Sequence, residues 1–334
     1  MKFLLVRGLE VLKTSKPLKI DRNNVIKSEV YQFPNLIKGD LLLSNRIFKY
    51  GLLAPAFLLV LATTIYPLIR SFWISLHNWD LKNSADMGSF VGFGNYLRAF
   101  SDSQFWNSIL ITLIFTVFTV FLTITFGIVV AILLSKEKRI LAYLRAILII
   151  PFAMSAALIG YSWRFMLNSD YGLFDKIIGF LIPPLAKTVW LGSPQTAMIA
   201  LISVVVWIWL PFISLMFISG LMGMPKEVFE AAQVDGASRF RTLIYITLPM
   251  LKPIILIAAI LMTMFSLKAF DPIVTLTQGG PGSSTEVLNF LIYKTGFKYF
   301  DMGYASALGY ILALITIVFV ALYMRKLVKG DDWN

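Results

Sequence analysis

Side chains able to carry covalent or metal chemistry are almost absent from this chain of 334 residues. It has no cysteine and one histidine, His77. That excludes a thiolate metal site, a disulfide framework, a multi-histidine metal site and a histidine proton relay. No G-x-x-x-x-G-K-[ST] phosphate loop occurs, so the chain should not hydrolyse ATP itself. A Rossmann glycine pattern and an H-E-x-x-H helix are missing too. A membrane-embedded enzyme would need a nucleophile–base pair or metal ligands, which this inventory does not supply. Two groups of candidates remain. One is the polar stretch 224–250, MPKEVFEAAQVDGASRFRTLIYITLPM. The other is a set of aromatic and hydroxyl side chains in apolar surroundings: Ser155, Tyr161 and Trp163, then Trp207, Trp209 and Phe212. Aromatic faces with a few hydrogen-bonding groups suit ligand binding; they equally suit core packing or an interfacial belt.

The elements that must position these residues are membrane helices. The chain is 58% hydrophobic and 14% charged, whereas soluble domains are about 45–50% apolar and about 25% charged. A span needs roughly 20 apolar residues. Uncharged stretches between Lys49 and Arg70, Asp102 and Lys136, Arg145 and Arg164, Lys187 and Lys226, and Asp301 and Arg325 each hold one. A sixth, between Lys252 and Lys268, is shorter and relies on lysines reaching the interface. The predicted helices are about 49–70, 105–134, 144–166, 196–222, 251–271 and 303–324. An even number puts both termini on one side. With that side cytoplasmic, the inner segments carry 21 of the 30 Lys and Arg residues, as the positive-inside rule requires. The expected organisation is a basic cytoplasmic tail over 1–48, a membrane domain over 49–325 and a short cytoplasmic tail over 326–334. Residues 3–20 fit either a solvated tail or a surface helix on an anionic leaflet; Arg7 and Glu10 interrupt any signal-peptide core. The net charge of +12 reads as cytoplasmic loops rather than nucleic-acid binding. Acidic residues avoid the helix centres, so a proton- or sodium-driven carrier would lack its coupling groups.

The stretch 224–250 falls in a cytoplasmic loop. Pro225 suits a first helical turn, and Lys226 to Val234 forms a short helix. Asp235-Gly236 signals a turn that ends it. Ser238 can cap a second helix toward Leu248, and Pro249 separates that helix from the next span. The spacing resembles the loop signature E-A-A-x-x-x-G-x(9)-I-x-L-P of the integral-membrane subunits of binding-protein-dependent ABC importers. Glu230-Ala231-Ala232, Gly236, Ile246, Leu248 and Pro249 match it without departure. Further segments are similar to the carbohydrate-importing branch, the maltose and glycerol-phosphate permease-like family. They are Phe90-Val91-Gly92 with Asn95-Tyr96; Asn168, Asp170 and Gly172; Thr277, Gly279-Gly280-Pro281 and Thr285; and Gly303-Tyr304-Ala305-Ser306-Ala307. The resemblance covers about 50–325.

The resemblance implies an all-α polytopic membrane protein, with six transmembrane helices and a cytoplasmic coupling-helix loop: the type I ABC importer permease fold. It implies a non-enzymatic subunit of the bacterial-type inner membrane that forms half of a sugar translocation path. The partners would be a second permease, from the family a different chain, two ATPase subunits holding ATP and Mg, an extracytoplasmic solute-binding protein and membrane lipid. No cofactor would bind this chain, and no nucleic acid. Residues 225–248 would seat in the ATPase. Glu230 would make polar contact, Gly236 would set the bend, Ala231, Ala232 and Ala237 would allow close packing, and Asp235 and Arg239 would belong to the same surface. Sugar contacts would come from the third and fourth helices: Ser155, Tyr161, Trp207, Trp209 and Phe212. The rival reading is a secondary carrier or channel working without an ATPase. Lys268 and Asp271, spaced i, i+3, read as an ion pair or an outer gate. His77 reads as a solvated or interfacial residue, and 277–285 as a flexible Gly-rich connector or a contact for the binding protein.

Overall fold

The computed structural model describes residues 40–329 apart from 137, 186 and 187. Helices dominate, and among the described residues pairing of extended backbone is confined to two isolated bridges, His77 with Phe90 and Asp80 with Asp301. The chain divides at Thr63 into two units. The first holds α1 (Asp40–Val60), already helical inside the segment expected to be a tail. The surface helix considered for 3–20 lies outside the described residues. The second unit holds, in order, α2 (Tyr66–Ser75), α3 (Gly94–Ser101), α4 (Ser103–Leu134), α5 (Arg139–Leu148), α6 (Ile150–Ala153), α7 (Ala156–Met166), α8 (Leu173–Leu181), α9 (Pro194–Met222), α10 (Lys226–Val234), α11 (Arg239–Thr242), α12 (Leu248–Leu267), α13 (Leu288–Tyr293) and α14 (Met302–Lys329).

Among the described residues five helical runs are long and apolar enough to cross a membrane: Tyr50–Ser75, Ser103–Leu134, Pro194–Met222, Arg239–Leu267 and Met302–Arg325. Two of the predicted spans need correction. The third, expected over 144–166, is a bent pair: Arg139–Ala153 and Ala156–Met166 meet at 94°. Met154 and Ser155 are extended, with ψ of 153° and 127°, and Pro151 has already removed one ladder donor. The fifth runs unbroken from Arg239. Pro249 does not separate it from the preceding helix, because a π turn over Leu243–Thr247 widens the ladder just ahead of the ring.

Packing is tightest where α4 meets α9. The buried face of α4 carries Ser108, Thr112, Thr116, Thr119, Thr123, Gly127 and Ala131, a three-to-four-residue period of small side chains. A Cβ on Gly127 would come within 3.0 Å of Ile213 Cγ2 and 3.2 Å of Phe217 Cε2. Ala131, Phe217, Leu251, Ala258 and Met262 complete that core. A second core joins Phe115, Leu201, Val205 and Ile208 to Ile273, Leu276 and Phe290.

The end of the bundle opposite the loops 135–138 and 223–238 is stitched by polar groups. Asn95 Nδ2 donates to the carbonyls of Ser75 and His77, both at 2.9 Å, and Tyr96 Oη lies 2.7 Å from Ser75 Oγ. The Asn95-Tyr96 pair of the sequence therefore clamps the end of α2. Arg98 binds Asp301 at 2.7 Å and lies over the Tyr304 ring, and the Tyr304 hydroxyl donates to Asp102 at 2.8 Å. Asp102 Oδ1 also accepts from Gln104 N, capping α4. Asn168 Oδ1 accepts from Asp170 N at 2.9 Å, and a Cβ on Gly172 would meet the Asn168 and Met166 carbonyls at 2.3 Å. His77 is 8% exposed, with Nδ1 2.8 Å from the Trp73 carbonyl and its ring between Trp73 and Phe90. Of the two readings, solvated or interfacial, the first fails: His77 is buried because the bridge to Phe90 folds the chain back over it.

Close packing explains the glycine at Gly303, in the first turn of α14. A Cβ there would lie 2.2 Å from the His77 carbonyl oxygen and 3.1 Å from Trp79 N. Gly303→Ala is expected to force the α14 start away from 77–79 and cost about 1–3 kcal/mol. A lowered thermal midpoint of the purified chain in detergent would register it; an unchanged midpoint would contradict the packing.

Candidate functional site

The segment 224–247 is built from local rules. Pro225 caps α10 from outside, with φ −59° and ψ 129°, one position earlier than the first helical turn expected for it. At the other end of α10, Gly236 takes φ +72°, its N–H donates to Gln233 O at 3.1 Å, and Ala237 N donates to Ala232 O at 2.9 Å. That is the paired hydrogen-bond pattern of a Schellman stop. Ser238 Oγ then accepts from Arg241 N at 3.4 Å, starting α11. Two helices thus meet at a fixed bend four residues long, as the sequence predicts.

The bend sorts the candidates by face. Glu230, Ala231, Asp235, Gly236 and Arg239 are exposed, and Val234 is 88% exposed. Ala232 is 6% exposed and Ala237 is half-buried. Ala232 therefore packs inside this chain and cannot pack against a partner; it shares the helix with Ala231 but sits 100° around it. Glu230 makes no ion pair or side-chain hydrogen bond among the described residues, whose ion pairs are Arg98–Asp301 and Lys294–Glu286. Charge on this face is uncommitted. Behind the bend lies a groove of ≈ 820 Å³, floored by Ile132, Ser135 and Leu221 and walled by Phe229, Gln233 and Arg239. Its lining draws both on the segment and on the ends of α4 and α9.

The aromatic candidates divide into two groups. Trp209 stacks on Phe265 at 3.9 Å and 14°, and meets Phe152 edge-on at 5.5 Å. Phe212 stacks on Phe152 at 5.2 Å and 15°. This cluster draws one ring each from α6 and α12 and two from α9, beside Pro211 and the extended break at Met154–Ser155. Ser155 is exposed at that break, and its side chain caps nothing. Trp207 is two positions from Trp209, which points it to another side of α9, where it meets Trp163 at 5.7 Å. Tyr161 is 58% exposed and joins neither group. Phe152 and Phe265 escaped sequence reading, since a lone Phe in an apolar helix carries no signal of its own.

In two other places one of the two readings fails. Lys268 and Asp271 form no ion pair among the described residues: α12 ends at Leu267, so no helix face carries both. Residues 277–285 are a knit loop rather than a flexible connector. Thr285 Oγ1 is 2.8 Å from both Thr277 Oγ1 and the Gly280 carbonyl, and Thr285 N donates to Gly279 O at 3.2 Å. The loop is tied down by Glu286, 2% exposed, which accepts from Gln104 at 2.7 Å and Lys294 at 2.6 Å. Among the described residues no cluster of His, Asp or Glu could hold a metal ion.

A family model described as "Binding-protein-dependent transport system inner membrane component" matches residues 123–329. The chain is 36% identical over 276 residues to the trehalose/maltose transport system permease protein MalF of Thermococcus litoralis, covering 83% of this chain and 92% of that one. It is 32% identical to the sulfoquinovosyl glycerol transport system permease protein SmoG of Agrobacterium fabrum, covering 86% and 93%. Its fold is similar to a chain in the crystal structure of a bacterial ABC transporter involved in the import of the acidic polysaccharide alginate. That match has a TM-score of 0.72 at 21% identity and covers 86% of this chain and 98% of the other.

Proposed function

We infer, since this chain belongs to the family of binding-protein-dependent transport system inner membrane components, that it is the permease subunit of an ATP-driven importer for a sugar or sugar-like solute. It is a multi-pass membrane protein working with an ATPase and a solute-binding protein, and ATP is hydrolysed on the ATPase. The observation that carries the reading is the bend at Gly236. A stopped helix and a capped helix present uncommitted charge outward, and the segment runs without a loop into the span Arg239–Leu267. Force applied to such a segment reaches the bundle without being absorbed by a loop.

The finer assignments are these. The end carrying 135–138 and 223–238 faces the cytoplasm, with both termini, in a bacterial-type inner membrane. Two ATPase subunits, holding ATP and Mg, bind there, and Glu230, Ala231, Asp235 and Arg239 form the contact surface. A second permease, a different chain, completes the path, and the binding protein delivers solute from the opposite end. A carbohydrate solute is supported by the names of the relatives. The Phe152–Trp209–Phe212–Phe265 cluster offers ring faces for sugar C–H groups, with Ser155 the adjacent hydrogen-bonding group.

The test is reconstitution. In proteoliposomes the chain alone should catalyse no gradient-driven uptake; uptake should require the ATPase, ATP and the binding protein. Glu230→Arg should reduce uptake at least ten-fold by weakening retention of the ATPase, with the chain still inserted. Uptake by the chain alone, or full coupling in Glu230→Arg, would reject the reading.

A further inference from the structure

Arg145 links the ends of two spans. It lies on α5, a helix with no buried residue, and its guanidinium reaches two other elements. Nε and Nη2 donate to the Leu134 carbonyl at 2.9 and 2.6 Å, and Nη2 also donates to the Lys136 carbonyl at 2.9 Å. Nη1 lies 3.6 Å from Met222 Sδ. Leu134 is the last residue of α4 and Met222 the last of α9, directly ahead of the bend-bearing segment. Terminal helix carbonyls lack intrahelical partners and sit at the negative end of the dipole. A planar guanidinium binds the Leu134 carbonyl through two N–H groups and the Lys136 carbonyl just beyond the helix end at once; an ammonium cannot reproduce the fork. Arg145 has no ion pair among the described residues, so its charge is committed to these carbonyls.

The same helical arm, Arg139–Ala153, carries Phe152 at its far end, where the ring stacks on Phe212 and meets Trp209. One arm therefore joins the base of α4 and α9 to the aromatic cluster. The extended break at Met154–Ser155 frees it from Ala156–Met166. We propose that Arg145 is a positioning residue of the transport cycle: it makes the arm follow the ends of α4 and α9, so displacement of the 224–247 segment moves Phe152 within the aromatic cluster. This rests on the importer reading and adds the route by which the motion is carried.

The experiment uses the full importer, with its ATPase, second permease and binding protein, in proteoliposomes. The chain has no cysteine, so Ala153→Cys, spin-labelled before assembly, reports on the tip of the arm alone. In the Arg145-containing protein, ATP should change the label's mobility. Arg145→Lys and Arg145→Met should each retain bound ATPase and basal hydrolysis, lose the ATP-driven change, and lower solute imported per ATP at least ten-fold. A purely structural Arg145 would instead lower thermal stability and ATPase retention while leaving the label's response intact in the assembled fraction, and that result overturns the proposal. So does an unchanged label response with normal uptake per ATP in both variants. If the unmutated importer fails to couple ATP to uptake at all, the importer reading itself falls.

Discussion

Replacing Gly236 by proline is expected to abolish coupled uptake while leaving the chain inserted. The position needs φ +72°, and proline holds φ near −65°. Proline also removes the N–H that donates to Gln233 O. Asp235, at φ −73° and ψ 3°, would be driven from its turn conformation toward extended backbone. Together these should cost roughly 3 kcal/mol or more locally, enough to dissolve the bend rather than strain it. The control is Gly236→Asn. A Cβ at 236 meets nothing within 4 Å, so the obstacle to other residues is conformational, and asparagine tolerates the left-handed region. Uptake and hydrolysis measured side by side should show Gly236→Asn near the unmutated rate and Gly236→Pro hydrolysing ATP without import, or releasing the ATPase. Normal transport by Gly236→Pro would mean that the bend carries no force.

The second large effect concerns Glu286. Its carboxylate is buried, and its partners Lys294 and Gln104 come from different elements. Glu286→Leu leaves Lys294, whose side chain is 18% exposed, without its counter-charge. Removing one member of a buried pair costs about 3–5 kcal/mol; the residual exposure of Lys294 points to the lower end. The double variant Glu286→Leu with Lys294→Met should recover most of the loss, because it removes the orphaned charge. Thermal unfolding of the purified chain, read by tryptophan fluorescence, measures both. A single variant as stable as the double would show that the pair does not anchor the 277–287 loop.

The membrane class and the bend within 224–247 were readable from sequence because each depends on neighbours in the chain. Uncharged length decides whether a segment can span. Pro225, Gly236 and Ser238 fix a stop and a start through their own φ preferences and side-chain acceptors. The kinship-bearing motifs were legible for the same reason, and the structure supplies their physical content. Asn95 and Tyr96 clamp α2, Thr277 and Thr285 close a loop, and Gly303 admits a close backbone.

What the sequence could not determine is which distant groups meet. Lys268 and Asp271 have helical spacing, yet the helix ends at Leu267, just before both. The 94° turn at Met154–Ser155, with both residues extended, is not announced by Pro151, which predicts a kink only. Trp207 and Trp209 are equal as residue types and part company because two steps along a helix turn through about 200°. Phe152, Phe265, Arg145 and Glu286 gain their meaning solely from partners brought in by other spans. Local hydrogen bonding and hydrophobic length are written in consecutive residues; side-chain encounters across a bundle depend on helix rotation and register, which only the assembled tertiary structure decides.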